Sequence, residues 1–179
     1  MSTQITPGIE MTREEFFAYV ESHPDKRFDF IDGELVEVSP KPLHGRLQSR
    51  LVLVFGLWLR DNPIGETHTE VLHILEGEKF IPDISINATR ADGESAFETP
   101  PLLAIEIRSD TQSRTAQRRK ALRYIAHGTP AVLLVLPGEQ IELFTSETGD
   151  ESLIFKPGET VSGIPGMADL EIDVAELFA

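Results

Sequence analysis

Two nearly uninterrupted apolar segments on either side of an amphipathic segment do most to restrict the fold of this chain. The apolar segments, Pro100–Ile107 and Ala131–Leu136, have the composition of strands that are covered on both faces. Between them, Arg114–His127 has the periodicity of a helix and is followed by Gly128, a residue type that commonly ends helices. A strand, a helix and a strand in this order predict a βαβ unit whose two strands are parallel.

The remaining segments predict further helices and strands around this unit. Helices are expected over Met11–Ser22 and Leu43–Arg60, and strands over Arg27–Ile31, Glu34–Ser39, Glu66–Leu75, Lys79–Asn87, Gln140–Thr145 and Leu153–Phe155. Asp32-Gly33 favours a type I′ turn in the first hairpin, and residues 76–78 would turn the second. The tail, Leu170–Phe178, alternates and then becomes briefly helical. We therefore expect one α/β (α+β-like) domain over residues 1–179, built on a mixed central sheet.

Composition excludes several classes of protein. The chain has no cysteine, which excludes a disulfide framework and thiolate metal ligands. It has 16 Lys and Arg against 30 Asp and Glu, and the resulting net charge of −14 would repel a polyanion unless a basic patch or a metal offset it locally. The start of the chain does not resemble a signal peptide and the apolar runs are too short to span a membrane, so we expect a soluble cytoplasmic protein with no membrane partner.

Two carboxylates stand out because of the strands that carry them. Asp83 lies in a segment whose alternation places it on the face opposite Ile84, and Glu106 lies near the end of an otherwise apolar strand. Each could be a solvated strand residue, but carboxylates are rarely buried unless they are paired, hydrogen-bonded or metal-bound. Two carboxylates on adjacent strands are what a hard cation such as Mg²⁺ needs, and such a cation can activate water to attack phosphorus.

Three other side chains could complete such a site. Lys120 lies at the edge of the apolar arc of its helix, from where its long side chain can reach over the sheet. Alternation points Arg108 to the same side of the strand as Glu106, and His44 falls within the apolar arc of the long helix. The alternatives are an exposed solubilising lysine and a histidine that only packs. Glu34, taken alone, is a hairpin residue.

The cationic residues are concentrated in one short stretch. Six of the sixteen lie within sixteen positions, namely Arg108, Arg114, Arg118, Arg119, Lys120 and Arg123. In a chain this acidic, the stretch is the expected place for contact with a nucleic acid, in particular through the four helix arginines 114, 118, 119 and 123. The alternative is an amphipathic helix with a charged solvent face.

These residues occur in an order that resembles the Uma2 family. The matching segments are Phe30–Val36, Ser39-Pro40, His44, Pro82-Asp83, Glu106–Ser109, Lys120, Tyr124 and Gly128. Members of this family carry the label "putative restriction endonuclease", and the family is similar in fold to the PD-(D/E)XK nucleases. The resemblance runs from Met11 to Phe178 and implies a restriction-endonuclease-like mixed sheet flanked by helices.

The resemblance also implies roles for particular residues. Asp83 and Glu106 match the two metal-binding acids, and Lys120 matches a helix lysine that is taken to replace the strand lysine of typical PD-(D/E)XK nucleases. Glu34 and His44 match accessory positions. The implied activity is endonucleolytic hydrolysis of DNA phosphodiester bonds with Mg²⁺ or Mn²⁺, with RNA as the alternative substrate and a homodimer as the assembly.

The sequence departs from the family pattern near the expected site. Arg108 stands where PD-(D/E)XK nucleases carry their motif lysine, and a guanidinium stays protonated and cannot act as a base. Ala116 stands where an Asp is usual. Together with the net charge, these departures leave a second hypothesis open: a non-catalytic binding or interaction module that keeps the nuclease fold. The sequence leaves open whether the chain is an enzyme.

Overall fold

The computed structural model describes residues 9–24, 27–31, 34–38, 42–88, 95–109 and 113–179. Its helices are α1 (Arg13–Ser22), α2 (Pro42–Asp61), α3 (Arg114–Ala126) and α4 (Val174–Phe178). Its strands are β1 (Ile9–Glu10), β2 (Arg27–Ile31), β3 (Glu34–Val38), β4 (Glu66–Thr69), β5 (His73–Leu75), β6 (Glu78–Phe80), β7 (Ile84–Asn87), β8 (Leu103–Ile107), β9 (Ala131–Leu136), β10 (Gln140–Thr145), β11 (Leu153–Phe155), β12 (Thr160–Val161) and β13 (Ile172–Asp173). The predicted Asp32-Gly33 turn lies outside the described residues.

The larger of the two main sheets, here called the central sheet, contains the predicted βαβ unit. Its strand order is β11-β10-β9-β8-β7-β4, and β8 and β9 are parallel while its other described pairs are antiparallel. Every residue of β8, β9 and β10 is buried. The prediction of a mixed sheet flanked by helices is therefore confirmed, and so is the parallel pair.

Two different layers cover the faces of the central sheet. On one face, α2 inserts Leu47, Leu51 and Phe55, which are fully buried, into a core that the segment from Val161 to Leu177 completes. On the other face, α3 contributes Ala121 and Tyr124. Because both faces are covered, β8 and β9 are apolar at nearly every position.

The second sheet, here called the outer sheet, has the order β1-β3-β2-β6-β5 and is antiparallel. Helix α1 packs on it through Phe16, which joins Phe28 and Leu35 in a separate small core. The predicted capping box begins this helix: the Thr12 hydroxyl accepts from the Glu15 amide, and the Glu15 carboxylate accepts from the Thr12 amide at 2.8 Å.

The predicted second hairpin connects the two sheets. Its turn at Glu76-Gly77 has positive φ at both residues, as a type I′ turn requires. The prediction of two uninterrupted strands is wrong, because β5 and β6 belong to the outer sheet whereas β4 and β7 belong to the central sheet. Pro82 lacks the N–H that a ladder needs, and Glu70 on the opposite arm has a positive φ of 55°. Both features lie in the break between the two halves.

The register of this hairpin is the same on both sides of the break. Thr69 pairs with Ile84 in the central sheet, and four residues further along each arm His73 pairs with Phe80 in the outer sheet. Residues 70–72 and 81–83 connect the two sheets and are here called the sheet junction, in which the Glu70 amide donates to the Asp83 carbonyl. Asp83 is the last residue of this junction before β7 begins.

The C-terminal segment agrees only partly with the prediction. The expected short helix is α4, but strand β13 before it pairs with β12, a strand that local sequence does not suggest. Among the helices that the described residues form, none is both long and apolar enough to cross a membrane.

Candidate functional site

Asp83 lies at the point where the hairpin enters the central sheet. Its Oδ2 accepts a hydrogen bond of 2.6 Å from the amide of Ile107, at the end of β8. Its main-chain carbonyl accepts from the Gln48 side chain at 2.8 Å and from the Glu70 amide at 3.3 Å. The residue is buried. These contacts fix both the backbone and the carboxylate of Asp83 beside the strand that carries Glu106.

His44 approaches Asp83 from the first turn of α2. Its Nε2 lies 3.1 Å from Oδ1 of Asp83, and the side chain is buried. Burial lowers the pKa of His44, but the hydrogen bond to Asp83, its negative charge and the main chain of Ile107 together raise the pKa above its usual value. An imidazolium paired with the Asp83 carboxylate is therefore favoured at this position.

Glu106 is held by two residues of α3. Its Oε2 accepts from Lys120 Nζ at 2.9 Å, and its Oε1 accepts from the Tyr124 hydroxyl at 3.1 Å. All three side chains are buried. Lys120 Nζ also donates to the carbonyl of Ile81, in the sheet junction, at 3.2 Å. Lys120 thus connects α3, β8 and the junction through one ammonium group.

Helix α3 presents a more polar face to the sheet than the sequence suggested. Its buried residues are Gln117, Lys120, Ala121 and Tyr124, whereas the apolar Leu122 and Ile125 are only partly buried. The Ser113 hydroxyl caps the first turn by accepting from the Ala116 amide. The helix ends before Gly128, whose φ of +90° suits glycine. The helix that carries Lys120 is thus capped at its start by Ser113 and ends before Gly128.

Asp83 and Glu106 also face each other in register. The last pair of the β7–β8 ladder is Ile84 with Ile105, so one further step places Asp83 opposite Glu106. These are the two carboxylates that could hold a divalent metal. Within the part of the chain that the structure describes, no cluster of three or more His, Asp or Glu side chains has the arrangement of a metal site.

The structure does not bring Arg108 to Glu106. Strand β8 ends at Ile107, and the guanidinium of Arg108 instead donates to Glu139 at 2.6 Å. Glu34, the other expected accessory residue, lies on β3 of the outer sheet and accepts from Arg119 at 2.6 Å. Glu34 therefore contacts α3 through Arg119, the residue before Lys120, and has no described contact with Asp83 or Glu106.

Each cation of the basic stretch contacts a carboxylate. Arg108 pairs with Glu139, Arg114 and Arg118 with Glu142, Arg119 with Glu34, Lys120 with Glu106, and Arg123 with Glu78. The last of these carboxylates also lies 3.3 Å from Nε2 of His127. A phosphate that reached these side chains would have to share them with, or take them from, protein carboxylates.

Sequence reasoning missed several buried polar residues near the site. Gln48 supports Asp83, and Glu142 binds two arginines while fully buried. A further network joins His73 Nε2 to Asn87 at 3.0 Å and Asn87 to Ser85 at 2.9 Å. Asp83, Ser85 and Asn87 are alternate residues of one strand segment, so the alternation of polar and apolar residues could have indicated that Ser85 and Asn87 share a face. The arginine partners of Glu142 could not be inferred, because they are distant in sequence.

The fold and the sequence are both similar to those of known proteins. A crystal structure from Anabaena variabilis, described as a "putative nuclease belonging to DUF820", superposes with a TM-score of 0.78 at 25% identity, over 94% of this chain and 97% of that one. No curated protein is significantly similar to the chain. The model of the Uma2 family, described as "Putative restriction endonuclease", matches residues 13–175. Because this match covers most of its length, the chain belongs to the Uma2 family.

Proposed function

We propose that this chain is an endonuclease that hydrolyses DNA phosphodiester bonds with Mg²⁺ or Mn²⁺ held by Asp83 and Glu106. The observation that carries the proposal is the pairing of Lys120 with Glu106 at 2.9 Å, at the position that the strand register places opposite Asp83. A buried Lys and a buried Glu beside a second carboxylate are costly to maintain for stability alone. Membership of a family described as restriction endonucleases supports the same reaction class.

The residues present fit a hard divalent cation. Mg²⁺ is commonly held by one or two carboxylates and completes its coordination with waters and substrate phosphate oxygens, so two protein carboxylates suffice. The described hydrogen bonds orient both groups: the Ile107 amide donates to Asp83, and Lys120 and Tyr124 donate to Glu106. Each carboxylate oxygen can accept more than one partner, so these bonds are compatible with a metal ligand role.

The protein groups around the carboxylates have separable tasks. When bound, the metal would polarise a phosphate oxygen and lower the pKa of water. Lys120 keeps a positive charge at Nζ beside Glu106, where it can orient the carboxylate and stabilise negative charge on a phosphate. Nε2 of His44 lies 3.1 Å from Oδ1 of Asp83, and an imidazole in this position can transfer a proton to or from a solvent molecule.

The test is cleavage of plasmid DNA, and of an RNA of the same sequence, with Mg²⁺ or Mn²⁺. Wild type would be compared with Asp83→Asn and Glu106→Gln, and with Glu171→Gln as a control for the loss of one exposed negative charge outside the site. We expect cleavage by wild type and the control alone, and calorimetric Mn²⁺ binding that weakens in both site variants. Equal cleavage by wild type and Asp83→Asn would refute the proposed site.

A specific observation also supports the non-catalytic alternative. The cations from Arg108 to Arg123 that could attract a nucleic acid are each paired with a carboxylate, in a chain of net charge −14. A binding or interaction module that keeps the nuclease fold would show Mn²⁺ binding, or none, without cleavage of either nucleic acid. The same comparison therefore separates the two candidate functions.

A further inference from the structure

Two arginines of α3 share a single carboxylate on β10. Oε1 of Glu142 accepts from Nε of Arg114 at 3.0 Å and from Nη2 of the same residue, and Oε2 accepts from Nη1 of Arg118 at 2.6 Å. The side-chain amide of Gln140 donates to Oε1 at 2.8 Å, and the Ser152 hydroxyl donates to Oε2 at 3.4 Å. The group of Arg114, Arg118 and Glu142, here called the arginine cluster, therefore has one positive charge in excess.

The cations of this cluster are accessible, whereas its carboxylate is not. The side chains of Arg114 and Arg118 are 42% and 31% exposed, but that of Glu142 is 0% exposed. Each guanidinium has five N–H donors, so the two together offer more donors than one carboxylate can accept. An anion from solvent can therefore bind the two arginines without displacing Glu142.

The place of the two arginines in α3 also favours an additional anion. Arg114 is the first residue of the helix and Arg118 lies in its second turn, and the first turn contains no acidic residue. The start of a helix carries a partial positive charge, so cations are disfavoured there and anions are favoured. Glu142 offsets only one of the two arginine charges. A phosphate at this end of α3 would interact favourably with both guanidinium groups and with the helix terminus.

The strand register places the arginine cluster on the same face of the central sheet as Glu106. Glu106 pairs with Leu134 of β9, and Leu134 pairs with Glu142 of β10. Paired residues point to the same face and neighbouring strands lie about 4.8 Å apart, so the main chains at Glu106 and Glu142 are about 10 Å apart. Helix α3 covers this face, because its Lys120 contacts Glu106 and its Arg114 contacts Glu142. The cluster thus lies two strands from the candidate metal carboxylates.

We propose that Arg114 and Arg118 bind a backbone phosphate of the DNA strand whose reacting phosphate lies at Asp83 and Glu106. A DNA strand carries one phosphate per about 3.4 Å of helix axis, so a phosphate about 10 Å away belongs to a nucleotide within about three of the reacting one. Glu142 holds the two guanidinium groups in place before the phosphate arrives. The inference rests on the proposed nuclease function, since it assigns a contact for the same substrate.

The experiment is equilibrium binding of a fluorescently labelled duplex DNA by the full chain in EDTA, over a series of salt concentrations. Arg114→Gln removes one guanidinium and the positive excess of the cluster. We expect it to weaken binding about three- to tenfold and to make the plot of log affinity against log salt less steep by about one. Arg60→Gln, at an exposed position of the helix that covers the opposite face of the central sheet, is the matched control and should have neither effect.

A double variant separates the charge of the cluster from its role in the fold. Arg114→Gln leaves the buried Glu142 with fewer donors and therefore also lowers stability. Adding Glu142→Gln removes the buried negative charge, so that Arg118 again gives the cluster one positive charge. The double variant should recover part of the lost affinity at low salt, and urea unfolding establishes that each variant is folded. Equal losses in Arg114→Gln and Arg60→Gln, or no recovery in the double variant, would each overturn the proposal.

Binding and cleavage test the two proposals separately. DNA binding in EDTA that depends on Arg114, without any cleavage under Mg²⁺ or Mn²⁺, would support the phosphate site and count against hydrolysis. Cleavage by wild type with unchanged DNA affinity in Arg114→Gln would support hydrolysis and overturn the phosphate site. Wild type that does not bind DNA, or a loss in Arg114→Gln that occurs only with a duplex RNA of the same sequence, would overturn the phosphate site as well.

Discussion

The main-chain amide of Ile107 donates a 2.6 Å hydrogen bond to the carboxylate of Asp83, so a side chain takes the place of the next rung in the ladder between β7 and β8. This bond ties Asp83 to the residue that directly follows Glu106. A charged acceptor makes such a bond shorter and stronger than one between neutral groups. The Asp83 carboxylate is thus held by the main chain of the strand that carries Glu106.

Replacing Asp83 with Asn should separate metal binding from folding. The amide oxygen of Asn can still accept from Ile107, so we expect the free energy of unfolding to fall by only about 1 kcal/mol. Mn²⁺ affinity should fall by about tenfold or more, because a charged ligand is lost. Calorimetric titration and urea unfolding measure the two quantities. Asp150→Asn, at an exposed turn, is the matched control, and an equal loss of affinity there would count against the site.

Replacing Lys120 with Met should destabilise the protein strongly. The buried Glu106 carboxylate would lose the ammonium that lies 2.9 Å away, and breaking one side of a buried pair costs about 3–5 kcal/mol. Adding Glu106→Gln should restore part of this stability, because no uncompensated charge then remains. Urea unfolding of both single variants and the double variant measures the coupling; purely additive losses would show that the two residues do not depend on each other.

Replacing Glu142 with Gln should also lower stability, through a different part of the fold. Arg114 and Arg118 would lose their shared charge, but both are partly exposed, so we expect about 2–3 kcal/mol rather than the full cost of a buried pair. Glu139→Gln breaks an exposed pair and should cost less than about 1 kcal/mol. Similar losses in these two variants would contradict the distinction between the buried Glu142 and the exposed Glu139.

His73 should make the protein less stable in mild acid. Burial lowers its pKa, and the hydrogen bond to Asn87 only partly opposes this effect. The unfolded chain therefore binds the proton more readily, so the free energy of unfolding falls as the pH drops below the unfolded pKa of about 6.5. Urea unfolding across this range measures the slope. In His73→Gln the acid-side slope should be smaller, and an unchanged slope would assign the effect to another group.

His44 should have the opposite effect in protein freed of metal by EDTA. Burial lowers its pKa, but Asp83 and the main chain of Ile107 together outweigh burial, so the pKa is raised in the folded state. The folded chain then binds the proton more readily, so this contribution is complete below about pH 6.5 and is lost as the pH rises through the folded pKa. Unfolding experiments on His44→Gln should show less loss of stability on the alkaline side. A steeper loss would reverse the inferred sign.

Sequence patterns predicted the elements that depend on local periodicity. The apolar segments gave β8 and β9 in the correct parallel arrangement, and the bounds of β9, β10 and β11 agree with the prediction. Asp83, Glu106 and Lys120 were predicted from strand alternation, helix position and family order, and the structure brings them to adjacent elements. Periodicity succeeded here because burial on both faces leaves few other options for such strands.

Other features depend on contacts that no local pattern encodes. The second hairpin is divided between two sheets because β6 pairs with β2 in the outer sheet and β7 pairs with β8 in the central sheet. Gln117 and Lys120 are buried, and Lys120 donates to Glu106 and to the carbonyl of Ile81, so an apolar arc drawn on α3 placed the buried face incorrectly. The buried position of Glu142 likewise depends on arginines that are 24 and 28 residues away.

Because the register is the same on both sides of the sheet junction, the length of the Glu76-Gly77 turn sets the strand pairing in both sheets. Inserting or deleting one residue there would shift β5 against β6 and β4 against β7 together, since both pairs are parts of one hairpin. Side chains on a strand alternate with a period of two, so such a slip in β7 would exchange the direction of Asp83 for that of Ile84. The length of a solvent-facing turn in the outer sheet thus governs which side chain meets Glu106.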